Sequence, residues 1–314
     1  MAWGLKASFA YASSRFKKGR HRVRLIFEEE ARFDCHSCGQ CCRTDWKIPV
    51  EPSKADRLRE IGPRFALVQE SSGCWQLHRV EGECSFLNES NLCRVHDEMG
   101  PAHKPNACRL FPFVLTPTPE GVHVGASFYC PSVRARKGRP LREHRQFLLA
   151  LLEQMPEFDR PQDVTTFSAE QPLGWNAYQL LEDALRRRLA CSEQAILELL
   201  QGLSDHLQDW WRQEVDALFQ SPRPEIVARV ERLQDWLAGE LVLDLGSAQE
   251  STWGKRYASS LIQRKFLRRG AFLEELLHLA AVQGVVSAAG NPERAVEVLE
   301  LNLTHTASFR FPEV

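Results

Sequence analysis

Four cysteines fall within eight positions in the stretch "DCHSCGQCCRTDW", residues 34–46: Cys35, Cys38, Cys41 and Cys42. C-x2-C is the spacing at which a tight turn lets two thiolates approach one metal centre, and Gly39 inside the second pair suits such a turn. Cys35, Cys38 and Cys41 would thus supply three converging thiolates. Side chains of adjacent residues usually diverge, so Cys41 and Cys42 are expected to serve two metals or different corners of a cluster, not one tetrahedral ion. A second constellation follows in "ECSFLNESNLCRVHDEMGPAHKPNACRLFPF", with Cys84, Cys93, His96 and Cys108, and then in "FYCPSV" with Cys130. Cys93-x2-His96 has ligand spacing. The Cys130-Pro131 dipeptide is of the kind that ends a ferredoxin-type ligand run.

The scaffold around these residues changes texture along the chain. From about 33 to 133 the sequence is irregular, punctuated by Gly and Pro ("EPSKAD", "SSGCW", "EMGPAHKP", "TPTPEG"), with brief strand-like runs such as "VHVGASFY". Small loop-rich units of this kind commonly need a metal or cross-links as a staple. From about 141 the pattern is helical. In "SPRPEIVARVERLQDWLAGE" the residues Ile226, Val230, Leu233, Trp236 and Leu237 follow a helical stripe, and Asn291, Pro292 and Glu293 make a cap, a first helical residue and an acidic first turn. "AFLEELLHLAAVQGVVSAAG" carries Glu274, Glu275 and His278, which fits a core helix and not a membrane span. The expected fold class is α+β: a basic N-terminal extension over 1–32, a small irregular Cys-rich metal-binding domain over 33–135, and a mostly α-helical bundle domain over 141–314, with five to seven helices.

Composition narrows the function classes. The chain of 314 residues has 40 basic and 41 acidic side chains, so no global field favours nucleic acid or an anionic membrane. The basic runs "RFKKGRHRVR" and "KRYASSLIQRKFLRRG" remain, and the second places Tyr257, Leu261 and Ile262 at near-helical spacing, as an amphipathic helix with a solvated basic face would. Trp210 and Trp211 are expected in the helical core and at its rim, not as a stacking platform. At the N-terminus a weakly apolar piece precedes the basic run, the reverse of a signal peptide, which points to the cytoplasm. In that reducing compartment ten cysteines indicate metal or redox chemistry before disulfides. Cys74 and Cys191 lie outside any spacing pattern and are expected as small buried hydrophobes, and His36, His78 and His103 as surface, supporting or satisfied core groups.

The ordered motifs C-x2-C-x2-C-C, C-x-F-L at 84–87, C-x2-H at 93–96 and K-P-x2-C-R-x-F-P-F at 104–113 resemble the CxxCxxCC family, a zinc- or iron-chelating domain whose members include flagellin lysine N-methylase. The resemblance covers roughly residues 33–133. It implies that Cys35, Cys38, Cys41, Cys42, Cys84, Cys93, Cys108 and Cys130 bind metal, with His96 in the polar position that follows the mid-domain cysteine as a further ligand. Lys104, Pro105, Arg109, Phe111 and Pro112 match the surrounding positions. Beside a cluster, Lys104 and Arg109 would offset thiolate charge and raise its reduction potential.

Eight thiols could close two four-thiolate zinc sites, or hold one four-iron cluster and leave several over; the Cys41–Cys42 doublet favours iron–sulfur. Through the methylase relation the resemblance also implies S-adenosylmethionine and a protein substrate or partner. The glycine-rich loop of the common methyltransferases is absent from the sequence, and the first run, C-x2-C-x2-C, departs from the C-x3-C-x2-C of radical S-adenosylmethionine chemistry. Three classes stand: an iron–sulfur oxidoreductase or modification enzyme, a zinc-stabilised interaction module without catalysis, and a protein-lysine methylase. No Ser-His-Asp order or phosphate loop specifies a catalytic residue.

Overall fold

The run "VHVGASFY" forms a strand, Gly121–Ala126, in the computed structural model, which describes residues 23–44, 46–62, 66–69, 73–155, 164–168, 171–191 and 252–300. This strand is the middle of a three-stranded sheet. It pairs antiparallel with Phe113–Thr118 and parallel with Leu25–Phe27. The hairpin register, Thr118 opposite Gly121, leaves a two-residue turn of Pro119 and Glu120. Gly121 has φ of 144°, and a Cβ there would stand 2.4 Å from the carbonyl oxygen of Arg24, so the approach of the first strand requires glycine.

Two apolar clusters form. The larger gathers Leu25, Phe113, Val122, Val124, Phe128 and Val133 from the sheet side with Leu141, Leu148, Tyr178, Tyr257, Leu261, Ile262, Leu279 and Val296 from the later helices. The smaller joins Val50, Ala55, Leu58, Phe86 and Val95, with Cys84 inside it and Cys42 and Cys93 packed against it. It is bounded by the helix Pro52–Ile61 and by the sheet in which Trp75–Leu77 lies between Pro49–Val50 and Leu67–Gln69. Thiols thus come from both clusters, since Cys130 belongs to the larger.

The mixed α and β composition agrees with the sequence reading. Beyond residue 141 the described residues form the helices Arg145–Leu152, Trp175–Cys191, Thr252–Gln263, Phe272–Ala288 and Pro292–Leu299 and also a hairpin, Val164–Ser168 with Gln171–Gly174, which departs from the helical expectation there. The β-branched run Val164, Thr165 and Thr166 accounts for it. "AFLEELLHLAAVQGVVSAAG" is a core helix, with Leu276, Leu279, Val282 and Val286 buried. Asn291 caps the last helix, its side chain accepting from the N–H of Arg294, with Pro292 in the first turn. The stripe at 226–237, Trp210, Trp211 and residues 1–22 of the N-terminal extension lie outside the described residues.

The reading of "KRYASSLIQRKFLRRG" needs correction. Tyr257, Leu261 and Ile262 are buried as expected, but the basic face is not solvated: Arg264 and Lys265 are only 5% and 6% exposed. Helix spacing could not show this, because each charge is offset by a carboxylate distant in sequence. Arg264 Nη1 donates to Glu300 Oε1 at 2.7 Å and Lys265 Nζ to Glu182 Oε1 at 2.5 Å. Arg256 is half-buried and donates to the carbonyls of Arg134 and Val133 at 2.8 and 3.0 Å; burial depresses its pKa to about 10.

Glu28, beside Arg264 and Glu300, gives this core a pH dependence. Burial raises its pKa from 4.5 to about 7, a hydrogen bond with Ser260 and the charge of Arg264 opposing the rise. The folded state therefore holds the proton more tightly than the unfolded chain. The resulting stabilisation is complete below about pH 4.5 and is lost as pH rises through 7, a span worth about 3 kcal/mol. Glu28→Gln should match the wild type near pH 4.5 and exceed its stability by about that amount at pH 8. Urea unfolding across this range checks it, and a gap that does not change with pH would contradict it.

Candidate metal centre

Cys35 and Cys38 are exposed on an irregular segment that ends in one 3-10 turn, Gln40–Cys42. Gly39 opens that turn with φ of 71°, as its place inside C-x2-C suggested. The turn is pinned from outside. Arg43 Nη1 donates to the Cys38 carbonyl at 3.4 Å, Arg79 Nη1 donates to the Cys42 carbonyl at 3.2 Å, and Arg43 is itself held by Glu83 at 2.7 Å and by Asn91.

The other cysteines sit on short elements. Cys84 ends the strand Glu83–Cys84, Cys93 caps the helix Arg94–Met99, Cys108 lies within the helix Asn106–Leu110, and Cys130 caps the helix Pro131–Arg134. The Lys104–Cys108 turn is fixed by buried Asn106, whose Oδ1 accepts from Lys54 Nζ at 2.7 Å and from Arg109 Nη1 at 3.2 Å. Glu51 Oε1 accepts from the Asn106 backbone N–H at 3.0 Å.

These elements enclose one cavity of about 880 Å³. It is lined by Cys35, Cys38, Cys41, Cys42, Cys93, Cys108 and Cys130, and also by His96, Lys104 and Arg109. Cys84 does not line it; it is buried behind, close enough to Cys93 and Cys41 to feel their charge. Of the other histidines, His36 reaches the cavity, whereas His78 and His103 do not. Cys74 is exposed and apart, contrary to the buried position expected of an unpatterned cysteine. Cys191 ends a helix and its side chain lies outside the described residues. Phe33, Phe111, Phe113 and Phe147 form an aromatic wall; Phe111 and Phe113 belong to the F-P-F motif, whereas no pattern tied Phe33 and Phe147 to the cysteines. Glu293, from the far end of the chain, lines the cavity too, and no sequence signal tied it to the cysteines.

Four of these thiols, Cys41, Cys84, Cys108 and Cys130, are held toward the protonated form by their surroundings. The eight patterned cysteines are free thiols. A hydrogen bond with Cys42, and then burial, drive the Cys41 pKa far up; burial drives Cys108 far up too, raises Cys84, and pushes Cys130 up to about 12 against the N–H groups of Val133 and Ser132. Cys41 and Cys42 therefore touch, where adjacent side chains were expected to diverge, because the 3-10 turn folds both toward the cavity. Burial works against the Lys104 ammonium, but Cys108, Cys93, Cys41 and Cys42 outweigh it and raise its pKa. Lys104 thus stands as a cation among thiols, while Arg109 donates to Asn106 Oδ1 at 3.2 Å and to Gln154 Oε1 at 3.1 Å.

Soft thiolates suit zinc, iron and iron–sulfur clusters, so the donor set fits such a group. Its entry would displace protons from Cys41, Cys108 and Cys130. Among the described residues, no three Cys, His, Asp or Glu side chains come close enough together to hold a single ion. The three-thiolate convergence expected of Cys35, Cys38 and Cys41 is thus not met at single-ion distance. Cys35 and Cys38 lie toward solvent on the irregular segment.

Comparison with known proteins places this segment. The chain is 28% identical over 119 residues to a lysine-N-methylase of Salmonella typhimurium, covering 33% of this chain and 30% of that protein. It is 27% identical over 118 residues to the flagellar biosynthetic protein FliU of Salmonella muenchen, covering 33% and 70%. It is 35% identical over 83 residues to the uncharacterized protein MJ0939 of Methanocaldococcus jannaschii, covering 26% and 29%. The chain thus spans less than a third of the methylase and of the archaeal protein. No solved structure matches it. Residues 34–133 match the CxxCxxCC family, described as a "Putative zinc- or iron-chelating domain", and the resemblance read from the sequence therefore holds for that segment of the chain.

Proposed function

We propose that this protein binds an iron–sulfur cluster of the four-iron type in the thiol-lined cavity. Ligands would be drawn from Cys35, Cys38, Cys41, Cys42, Cys93, Cys108 and Cys130, with Cys84 and His96 adjacent. The carrying observation is one cavity lined by seven thiols with no three at single-ion spacing. A tetrahedral zinc with bonds near 2.3 Å needs its sulfurs within about 4 Å of one another. A cluster spreads its thiolates over different irons and accepts wider spacing. The cluster would supply redox or Lewis-acid chemistry, and Lys104 would balance its charge. The names of the curated relatives support extending the reading to protein-lysine modification with S-adenosylmethionine and a protein partner, in the reducing cytoplasm that free thiols favour.

Iron, zinc and acid-labile sulfide per chain, measured on protein purified without oxygen, test this directly. Iron and sulfide in near-equal amounts, with visible absorbance that bleaches on reduction, are expected. Zinc alone, in colourless protein, would replace the cluster by a zinc-stabilised interaction module. Equilibrium dialysis against labelled S-adenosylmethionine tests the extension separately. Lys104→Met removes a cation that sits among Cys41, Cys42, Cys93 and Cys108, and should weaken metal retention by about tenfold in chelator competition, with Lys104→Arg closer to wild type. Equal retention in Lys104→Met would leave Lys104 without a role in balancing charge.

A further inference from the structure

The last helix, Pro292–Leu299, lies well outside the segment that matches the cysteine family, yet its acidic face reaches both halves of the thiol cavity. Glu297 Oε1 accepts from Gln40 Nε2 at 2.9 Å, and Gln40 stands between Cys38 and Cys41 in the 3-10 turn. Glu297 Oε2 accepts from Arg134 Nη2 at 3.3 Å, and Glu293 Oε1 from Arg134 Nε at 3.0 Å. Arg134 is 6% exposed, and its Nη1 donates to the carbonyls of Phe128 and Tyr129 at 2.8 and 2.9 Å, the two residues that lead into Cys130. One carboxylate therefore bridges the turn carrying Cys41 to the guanidinium that holds the approach to Cys130.

We infer that Glu297 is a positioning residue for the thiol cavity, setting the Cys41 turn against Cys130 through Gln40 and Arg134. The inference rests on the metal reading only in taking these thiols as the ligands. Irregular segments with few contacts of their own open locally at low free energy, and a ligand set built on such a segment must be held by something rigid. The 35–39 stretch has no regular structure, whereas the last helix is fixed to the large core by fully buried Val296. Glu297 is only 15% exposed at its side chain, so its bonds to Gln40 and Arg134 are poorly screened by water.

The test uses the full chain, stripped of metal, and reads the iodoacetamide alkylation rate of each cysteine by peptide mass mapping. In Glu297→Ala, Cys41 and Cys130 should react about tenfold faster than in wild type, because loss of a hydrogen bond to a charged group lowers the free energy of local opening by an amount of that order, while Cys84 and Cys108 keep their rates. Glu297→Gln, which still offers an oxygen to Gln40 and Arg134, should lie between. Glu60→Gln, in an exposed pair with Arg57, should change nothing. Unchanged rates at Cys41 and Cys130 would overturn the inference, as would equal acceleration of all four thiols, which signals general loosening. If Glu297→Ala does not fold, Gln40→Ala severs only the arm to the cysteine turn and should accelerate Cys41 alone. Metal content of the wild type is read in parallel, and metal-free protein would end the cluster reading without touching the alkylation result.

Discussion

Cys41→Ser is expected to reduce bound metal to less than about one-tenth of the wild-type amount and to bring the melting temperature of loaded protein down to that of the stripped form. Ligand binding free energy at such sites is folding free energy, so a difference of roughly 10 °C, equivalent to about 3–5 kcal/mol, is the expected scale. Cys41 is the sharpest choice because it touches Cys42 and its charge is felt at Cys84, Cys108, Cys130 and Lys104. Cys74→Ser, at an exposed thiol away from the cavity, should leave metal content and melting unchanged. Metal analysis and thermal melts of the two variants side by side decide the matter, and full metal content in Cys41→Ser would remove it from the ligand set.

The second large effect is expected far from the cysteines. Glu300→Ala should destabilise the fold by about 3–5 kcal/mol, because it leaves the Arg264 guanidinium buried without its carboxylate. Glu300 is fully buried and accepts from Ser127 Oγ at 2.6 Å, Tyr257 OH at 2.8 Å and Arg264 Nη1 at 2.7 Å. Pairing Glu300→Leu with Arg264→Met removes both charges and should recover much of the loss, since a buried ion pair contributes little over well-packed apolar groups. Glu28 supplies an independent reading. The Glu300 charge helps to raise its pKa and Arg264 to lower it, so removing Glu300 should shift the Glu28 stability transition to lower pH. Urea midpoints of the single and double variants between pH 5 and 8 measure both effects. A loss below about 1 kcal/mol in Glu300→Ala would mean that water reaches Arg264 in place of the carboxylate.

Ser127 links these two regions. Its hydroxyl bonds Glu300 and also accepts from the N–H of Tyr129, one residue before Cys130. The helices beyond residue 252 therefore hold the end of the cysteine segment from two directions, through Glu300 at Ser127 and through Glu297 at Arg134.

Local chemistry made part of this legible from the sequence alone. The C-x2-C spacing around Gly39 predicts a turn that needs a positive φ, and the turn is there. The strand in "VHVGASFY", the core helix in "AFLEELLHLAAVQGVVSAAG" and the Asn291–Pro292–Glu293 start of the last helix follow from patterning and capping that act over a few residues. Seven of the eight patterned cysteines line one cavity with His96 and Lys104, and Cys84 stands behind it, so type and spacing located the cavity from local sequence. What only the tertiary structure decided depends on pairs distant in the chain. Arg264 with Glu300 and Lys265 with Glu182 turned an apparently solvated basic helix into a buried one. The reach of Glu297 to Gln40, 257 positions away, likewise has no local signature. A charge can be buried and a loop held in place only when the partner arrives from elsewhere in the fold, and no window of sequence contains both members of such a pair.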